Sequence, residues 1–368
     1  MIDRRQFLAC SGLVAARLLV PWPARAAEAA STSCDAALDI ARQHIITYCA
    51  RLDFPNGALH TIRALGRRSP LGAGDPYRIL LEDFLVERPV GDRMYLVAPI
   101  VKEGHRDALL MNLIEKDCEL DLEFQIQGRR YVFRDLIESA RMLLSYPGTL
   151  EIDEHAWTLF ALSRTTPPDQ ATWKNAWGET IDLNRIMDDI SALLESDTAL
   201  IRQVDLSQDN VPFDCPVFAR ACGGMHMLHS YAVALAAGYA TPARKAALGG
   251  HMRTAMRRLV YDMKVTDSIV KLNEQAVGAE AAAAVGFDAR VKFLGHFIEV
   301  VAVVDNAKLY AFSPGERREL RAARAKLCDL LAGCRDMRFE RHRNNKVLYD
   351  SMTTGLTHAY NALVQWPG

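Results

Sequence analysis

The sequence predicts a mainly α-helical protein. Apolar residues return every three or four positions through most of the chain, which is the period of an amphipathic helix. Several of these stretches are apolar on more than one side, as helices buried between other helices are. Short loops join them, and helices on short loops prefer antiparallel neighbours. We therefore expect an α/α toroid, which is a ring of helix pairs, and the alternative is a compact helical bundle.

The predicted elements follow one another without a long linker. Helices are expected at 34–52, 76–87, 105–116, 134–146, 182–204, 218–238, 242–264, 289–310, 314–334 and 346–365. Between the early helices, 94–101 is short, apolar and extended in character. Residues 122–133 alternate polar and apolar side chains across a Gly-Arg tip, which predicts a small β-hairpin in the first half of the chain. No stretch rich in proline or serine divides 27–368, so we expect a single domain there.

Residues 1–26 have the features of a secretory signal peptide. A basic start is followed by a short apolar stretch and a small-residue cleavage site at 24–26. The pair Arg4 and Arg5 resembles a twin-arginine export signal. The apolar stretch at 8–22 is shorter than the roughly 20 residues that span a bilayer. We expect a periplasmic or exported protein with no transmembrane segment after cleavage.

Charge and cysteine content narrow the classes of partner and the expected cross-links. The chain has 44 basic and 45 acidic residues, whereas nucleic-acid binding needs a strong basic excess or stripe, so nucleic acid is not an expected partner. Seven of the eight cysteines follow the predicted signal, so at least one thiol stays unpaired unless chains pair. We expect mostly buried thiols. No bridge is predicted between Cys328 and Cys334, because a spacing of six puts them on different helical faces.

Several motifs together resemble an uncharacterised family of exported bacterial proteins. They are "EGH" (103–105), "EHAWTLFAL" (154–162), "WKNAWGE" (173–179), "ACGGMHML" (221–228) and, more weakly, "TTGLTHA" (353–359). The helix-pair pattern is similar to the α/α toroids of terpenoid cyclases and protein prenyltransferases, which is an analogy of fold only. Met225 and Met227 stand where the family has Thr and Arg, and the family's Gly/Asn/Asp-rich loop is missing. These departures leave open that an activity of the family has been lost or changed.

The stretch "ACGGMHMLH" is the candidate metal site. On an ideal helix Cys222, His226 and His229 would share one face, and thiolate and imidazole are ligands that Zn²⁺ prefers. Cys222 and His229 would lie about 10 Å apart along the axis, too far to share one ion. We therefore predict that Cys222 and His226 bind the metal, zinc being the possible cofactor, with Asp214, Cys215 or a distant residue completing the site. The alternative is structural: two glycines allow close helix packing, and the cysteine and histidines are buried.

The candidate catalytic residues are Glu103, His105, Glu154 and His226. Imidazole and carboxyl groups act as general acids and bases, and glycosidases use a carboxyl pair. Glu103 and His105 follow an extended stretch and precede a helix, and loop residues in such positions often carry function. The competing interpretation is that these charged residues are only solvated.

Three further residues are predicted to bind substrate. Trp157 lies one helical turn after Glu154, and Trp157 and Trp173 could form the floor of a carbohydrate site because sugar faces stack on indole. His358 is of a residue type that lyases in toroid folds use. The alternative for the tryptophans is burial in the core, where Trp is common.

Two functional hypotheses remain. The absence of a nucleotide-binding glycine loop, a Gly-x-Ser-x-Gly elbow, a His-Glu-x-x-His pair and a Cys-x-x-Cys pair argues against kinases, common esterases, zincins and thioredoxins. The first hypothesis is an envelope enzyme acting on a carbohydrate polymer or another cell-envelope substrate by acid/base chemistry. The second is a non-catalytic periplasmic binding or scaffold protein. The first predicts that the four catalytic candidates converge within about 10 Å of a common point.

Overall fold

The computed structural model describes residues 33–148, 150–208 and 211–368. The predicted signal peptide, residues 1–26, lies outside these ranges. The described part of the chain is mainly helical, as predicted, and its few strands form three two-stranded antiparallel sheets.

The described residues contain fourteen helices. They are α1 Cys34–Tyr48, α2 Pro55–Leu65, α3 Pro76–Phe84, α4 Ile100–Glu103, α5 Ala108–Glu115, α6 Phe133–Leu143, α7 Ala156–Thr165, α8 Leu183–Asp197, α9 Ala199–Gln203, α10 Met225–Ala234, α11 Pro242–Val277, α12 Ala279–Asn306, α13 Pro314–Gly333 and α14 Lys346–Gln365. The strand pairs are β1 Val86–Val90 with β2 Arg93–Val97, β3 Glu123–Ile126 with β4 Arg129–Val132, and β5 Thr172–Lys174 with β6 Thr180–Asp182.

Six helices contact one another in a closed order. Helix α2 packs on α5, α5 on α7, α7 on α10, α10 on α12, α12 on α14, and α14 packs back on α2. We call these six the ring helices. They alternate along the chain with α1, α3, α6, α8, α11 and α13, each of which packs against at least one ring helix.

Burial separates the two sets of helices. All ten residues of α10 are buried, and α7 is buried over most of its length. On α1, by contrast, only Ala37, Ala41 and Ile45 are buried. A helix that is apolar all round needs neighbours on every side, whereas an amphipathic helix leaves one face in water. Helices α7 and α10 are therefore enclosed by neighbours, whereas α1 keeps one face in water.

Helices α12 and α14 lie close together at a glycine. A Cβ atom on Gly295 would lie 2.9 Å from the backbone nitrogen of Ala359, closer than atoms can pack. The missing side chain therefore sets the distance between the two helices. It also lets the rings of His296 and His358 come to a centroid separation of 3.7 Å.

One disulfide links two flanking helices. Cys34 in α1 is bonded to Cys328 in α13, across a sequence separation of 294 residues. The other cysteines in the described ranges are free thiols, and four of these five are buried, as predicted. No bridge was predicted for Cys328, because sequence spacing carries no information about a partner so distant in the chain. Within the same ranges, no helix is both long and apolar enough to cross a bilayer.

The early part of the chain departs from the prediction in two places. The segment 76–87 leaves the helix after Phe84 and becomes β1, which pairs with the expected extended stretch at β2. Helix α2 was not predicted at all. The hairpin at 122–133 is confirmed, and its tip is Gln127-Gly128, where both residues have positive φ.

The segment 218–238 is only partly α-helical. Cys222, Gly223 and Gly224 have φ values of 48°, 60° and 75°, so the α-helix begins at Met225. Left-handed backbone is inexpensive for glycine and unusual for cysteine. The prediction that Cys222 and His226 lie on one continuous helix was therefore wrong, because the double glycine forms a turn.

Candidate functional site at the centre of the helix ring

Every ring helix contributes a polar or aromatic side chain to one buried cluster. We call it the central cluster, and it consists of Arg63 from α2, Glu115 from α5, Trp157 from α7, His226 and His229 from α10, His296 and Glu299 from α12, and His358 and Asn361 from α14. Polar groups are costly to bury unless they are paired. The contacts within the cluster therefore decide what it can do.

An arginine between two carboxylates forms the inner part of the cluster. Arg63 has a side chain only 1% exposed, and its Nε lies 2.8 Å from Glu115 Oε2. Its Nη2 lies 3.0 Å from Glu299 Oε2, and its Nη1 donates to His358 Nδ1 at 3.0 Å. Burial would raise the pKa of Glu299, but the charge of Arg63 together with the interactions of His358 and His296 holds that pKa well below the usual range. Glu299 is therefore ionised.

Glu299 orients a second histidine. Its Oε2 lies 3.2 Å from His296 Nδ1, and its Oε1 accepts a hydrogen bond from Asn361 Nδ2 at 2.9 Å. With Nδ1 directed at the carboxylate, the other ring nitrogen of His296, Nε2, is turned away from it. This Nε2 atom is buried and has no hydrogen-bond partner among the described residues.

The turn before α10 brings a cysteine to the edge of the cluster. Arg258 of α11 holds the turn by donating from Nη1 to the carbonyl oxygen of Gly223 at 2.7 Å. A Cβ atom on Gly223 would lie 2.9 Å from Arg258 Nη2, and one on Gly224 would lie 2.8 Å from Val217 Cγ2. Gly224 is thus required by space as well as by backbone conformation, whereas Gly223 is required chiefly by its positive φ, because the tip of the Arg258 side chain can move. The turn presents Cys222, which remains partly accessible.

Cys222, His226 and His296 form a compact group. One ligand atom from each of these three residues lies within 4.8 Å of the other two. The structure therefore brings the predicted metal pair, Cys222 and His226, together. The third member is a distant residue, His296, and neither Asp214 nor Cys215 belongs to this group.

The protonation of this group follows from its surroundings. Burial would raise the pKa of the Cys222 thiol, but the nearby His296, together with the charges of Lys292 and His105, lowers that pKa to about 6. Burial and the charge of His296 hold the pKa of His226 well below its usual value. At neutral pH the pair is a thiolate and a neutral imidazole. His229, one turn further along α10, instead approaches Arg63 Nη2 at 3.5 Å.

A partly exposed acid/base pair lies beside the central cluster. His105 Nδ1 is 3.1 Å from Glu154 Oε2, and their side chains are 17% and 28% exposed. The His105 ring stacks on Trp157 with centroids 3.9 Å apart, and Trp157 also contacts His226 at 4.5 Å. Ring contacts thus lead from the accessible pair to His226 and on to His296, whose centroid is 4.5 Å from that of His226.

Glu103 lies in a different environment from the other catalytic candidates. It lines a cavity of about 520 Å³ between the β1–β2 sheet and helices α4, α5 and α6, to which no residue of the central cluster contributes. Its carboxyl oxygens accept from the backbone nitrogens of Asp107 and Leu109 at 3.2 and 3.3 Å. Burial, and then the charge of Asp107, raises the pKa of Glu103 to about 9. Of the four candidates, contacts therefore connect His105, Glu154 and His226, and Glu103 is apart from them.

The three residues predicted to bind substrate are all buried. Trp157 is 3% exposed and is in contact with His105 and His226. Trp173 is 9% exposed, and its Nε1 donates to the carbonyl oxygen of Arg141 at 3.0 Å. His358 belongs to the central cluster. In this arrangement neither indole offers a free face to a sugar ring, and substrate binding by these residues stays a prediction.

Comparison with protein-family models, curated proteins and solved structures gave no match for this chain. The resemblance to a family of exported proteins therefore stays a prediction. Any functional conclusion has to come from the geometry of the chain itself.

Sequence reasoning missed five members of the central cluster: Arg63, Glu115, His296, Glu299 and Asn361. Arg63 lies in α2, a helix that was not predicted. His296 and Glu299 did leave a signal, because the run "GHFIEVVAVV" places two ionisable residues in an otherwise apolar helix. Ionisable residues are rarely fully buried unless they are paired, so such a run indicates partners elsewhere in the fold.

The arrangement supports two kinds of chemistry. A thiolate and two imidazoles are a ligand set for a soft or borderline cation. A thiolate beside a histidine that a carboxylate orients is also the arrangement of a nucleophile with its base. In both cases Glu299 acts by positioning His296.

Proposed function

We propose that the protein is an exported enzyme that acts on a carbohydrate polymer or another cell-envelope substrate by acid/base chemistry, with its reaction centre in the helix ring. One observation carries the proposal. The partly exposed His105–Glu154 pair is connected through Trp157 to a buried group of thiolate and imidazole side chains. An accessible proton-transfer pair beside a strongly perturbed polar centre is typical of a catalytic site.

The make-up of the central cluster favours an enzyme over a scaffold. The ring helices bury an arginine, two glutamates and four histidines where apolar side chains would pack without a desolvation cost. Replacing a buried ion pair by apolar residues is often neutral or stabilising. A protein that only had to hold its shape would therefore gain little from this cluster.

The fold in this proposal is an α/α toroid. Its support is the closed order of contacts among the ring helices and their alternation with flanking helices along the chain. His105 lies three residues before the start of α5. In the same way Glu154 precedes α7 and Cys222 precedes α10. The functional residues thus precede the N-termini of consecutive ring helices, where they can share one opening of the ring.

Export is supported by two independent features. The first is the basic start, short apolar stretch and small-residue cleavage site in the sequence of residues 1–26. The Cys34–Cys328 bridge fits an oxidising compartment, since disulfides persist in the periplasm and are rare in the cytosol.

His105 is the proton-transferring group in this proposal. Glu154 holds the ring through Nδ1, which leaves Nε2 to take a proton from the substrate or to donate one to it. A base whose ring is oriented by a carboxylate is the usual form of such a pair.

The test is activity on isolated envelope polymers. The mature protein is incubated with cell-wall sacculi and with acidic and neutral polysaccharides, and new reducing ends and unsaturated products are measured. We expect H105A and E154Q to lower turnover by about 10²- to 10⁴-fold, which is the usual contribution of general acid/base catalysis. Glu151, three residues before Glu154 and with a side chain 70% exposed, provides the matched control E151Q. Binding of a polymer without any turnover would instead support the scaffold hypothesis.

A further inference from the structure

We infer that the central cluster binds one zinc ion through Cys222, His226 and His296. The inference deepens the proposed function, on which its catalytic meaning rests. The positions of the three ligands support the metal site whether or not the proposed function is correct.

The spacing of the three ligand atoms fits one ion. Zn²⁺ binds thiolate sulfur at about 2.3 Å and imidazole nitrogen at about 2.0–2.1 Å, so the ligand atoms of a tetrahedral site are roughly 3.5 Å apart. The three atoms lie within 4.8 Å of one another, so small side-chain rotations close the site. Three protein ligands are the number found in catalytic zinc sites, where the fourth position holds water.

An unpartnered nitrogen points to the ligand. His296 is 2% exposed, and its buried Nε2 makes no hydrogen bond of normal geometry among the described residues, while the ring interacts electrostatically with the nearby Cys222 thiol. A buried polar atom without a partner costs about 1–3 kcal/mol, and native structures rarely keep one without a reason. A metal ion beside Cys222 and His226 supplies the missing interaction.

Glu299 provides the outer support that zinc histidines usually have. A metal-bound imidazole commonly directs its other nitrogen at a carboxylate, which fixes the ring and increases its basicity. His296 Nδ1 lies 3.2 Å from Glu299 Oε2, and Arg63 and Asn361 hold that carboxylate in turn. The position of Glu299 is therefore set by contacts from two other ring helices.

A second set of neighbouring donors is less suitable. His296, Glu299 and His358 also place ligand atoms within 4.8 Å of one another. However, Arg63 Nη2 lies 3.0 Å from Glu299 Oε2 and Arg63 Nη1 lies 3.0 Å from His358 Nδ1. A guanidinium at that distance repels a cation. Its hydrogen bonds also occupy Glu299 Oε2 and His358 Nδ1, the atoms that would have to bind the ion. Among the described residues, no arginine donates a hydrogen bond to Cys222, His226 or His296, and Cys222 is not fully buried.

A bound zinc ion would give the proposed enzyme its reactive water. Zinc lowers the pKa of its bound water to about 7, so hydroxide becomes available near neutral pH. In the proposed reaction His105 and Glu154 would then move protons on the accessible side of the same centre.

The first test is spectroscopic and needs no substrate. The mature protein is purified without an affinity-metal step, stripped with a chelator and titrated with Co²⁺, which reports sulfur ligation by a charge-transfer absorption band. We expect one equivalent to bind, to show this band and to be displaced by Zn²⁺. C222S should lose the band, and H226Q and H296Q should weaken Zn²⁺ affinity by at least about 100-fold.

Matched variants test whether the ion is bound by Cys222, His226 and His296 rather than by another cysteine or histidine of the chain. H229Q removes the neighbouring imidazole one turn along α10, and C118S removes a buried thiol elsewhere. Both should keep one equivalent of Co²⁺ with the band unchanged. E299Q should keep the band and weaken affinity by about 10- to 100-fold, as the loss of an outer-shell partner does. Circular dichroism establishes folding for each variant.

A measurement on the unaltered protein keeps the inference testable if variants unfold. Saturating Zn²⁺ should slow alkylation of Cys222 by iodoacetamide at least about tenfold, measured by peptide mass spectrometry. Failure to bind a stoichiometric ion, with equal alkylation of Cys222 in the presence and absence of zinc, would overturn the inference and favour a thiolate nucleophile. Stoichiometric zinc binding without activity on any polymer would support the metal site and contradict only the proposed function.

Discussion

Glu103 shows how burial changes the behaviour of a single carboxyl group. The residue was selected from the sequence because it lies beside His105 in a loop before a helix. In the structure it is 5% exposed, its oxygens accept only from backbone nitrogens, and Asp107 is its charged neighbour. With its pKa raised to about 9, it is protonated at neutral pH. It is therefore a neutral hydrogen-bonding group in an apolar cavity rather than a base.

Protonation of Glu103 predicts how stability changes with pH. The folded protein holds this proton up to about pH 9, whereas the unfolded chain releases it near 4.5. Between these values the folded state binds more protons, so the free energy of unfolding falls as pH rises, by up to about 1.4 kcal/mol per pH unit. E103Q cannot ionise, but its Nε2 cannot accept from a backbone nitrogen, so it loses one of the two hydrogen bonds at every pH. In urea denaturation its stability relative to the wild type should therefore rise between about pH 5 and pH 8.

The exposed Glu138 supplies the control for this measurement, because its side chain is 55% exposed. E138Q should follow the wild type at both pH values. Parallel loss of stability by E103Q and the wild type would mean that Glu103 is already ionised in the folded protein.

At the scale of elements, the packing of α12 on α14 decides the geometry of the central cluster. These two helices supply His296, Glu299, His358 and Asn361. Their separation depends on Gly295, which leaves room for the backbone of the facing helix at Ala359. A glycine inside a helix costs up to about 1 kcal/mol relative to alanine, so this one is explained by the close approach it permits.

Adding one methyl group at Gly295 should therefore destabilise the protein. G295A would place a Cβ atom 2.9 Å from the nitrogen of Ala359, and backbone cannot move aside as a flexible side chain can. We expect a loss of about 1–3 kcal/mol in unfolding free energy, which is typical of overpacking. We also expect weaker Zn²⁺ binding, because His296 would shift with α12.

Gly250 in α11 provides the matched helical glycine. A Cβ atom there would have no heavy atom within 4 Å, so G250A should be neutral or stabilising by up to about 1 kcal/mol. Equal effects of the two substitutions in thermal and urea unfolding would show that the α12–α14 spacing does not depend on Gly295.

At the scale of the whole molecule, one covalent bond joins the beginning and the end of the described chain. Cys34 in the first helix is bonded to Cys328 in α13, next to the last ring helix. Helix α1 also packs on α13 and α14. The disulfide thus joins the flanking helices where the closed order of contacts returns to its start.

Loss of this bond should destabilise the whole fold. The double variant C34S/C328S frees the two ends in the unfolded chain, and disulfide removal costs typically about 2–5 kcal/mol. We expect a lower Tm by calorimetry, and reductant should bring the wild type down to the same Tm. The double variant itself should be insensitive to reductant. An unchanged Tm after verified reduction would indicate that packing alone closes the ring.

The sequence alone determined the helical class and part of the site. Helical periodicity is local, so most helices after residue 100 were predicted, and α14 at 346–365 has the predicted bounds. The strand β1 was missed because its first two residues, Val86 and Glu87, were assigned to the helix predicted at 76–87, and its remaining residues, Arg88, Pro89 and Val90, give no strand signal of their own. Cys222 and His226 were identified as a pair because they are four residues apart in the chain. Residues so close in sequence stay close in space even where a turn replaces the helix.

Only the tertiary structure brought the distant partners together. His296 joins Cys222 across a sequence separation of 74 residues, Arg63 pairs with Glu299 from a distant part of the chain, and Cys34 is bonded to Cys328. These pairings depend on which helices become neighbours in the ring. That choice is made by packing between buried faces, which the hydrophobic pattern of a single segment does not encode. The sequence therefore determined which residues can do chemistry, and the closed order of the ring helices decided which of them act together.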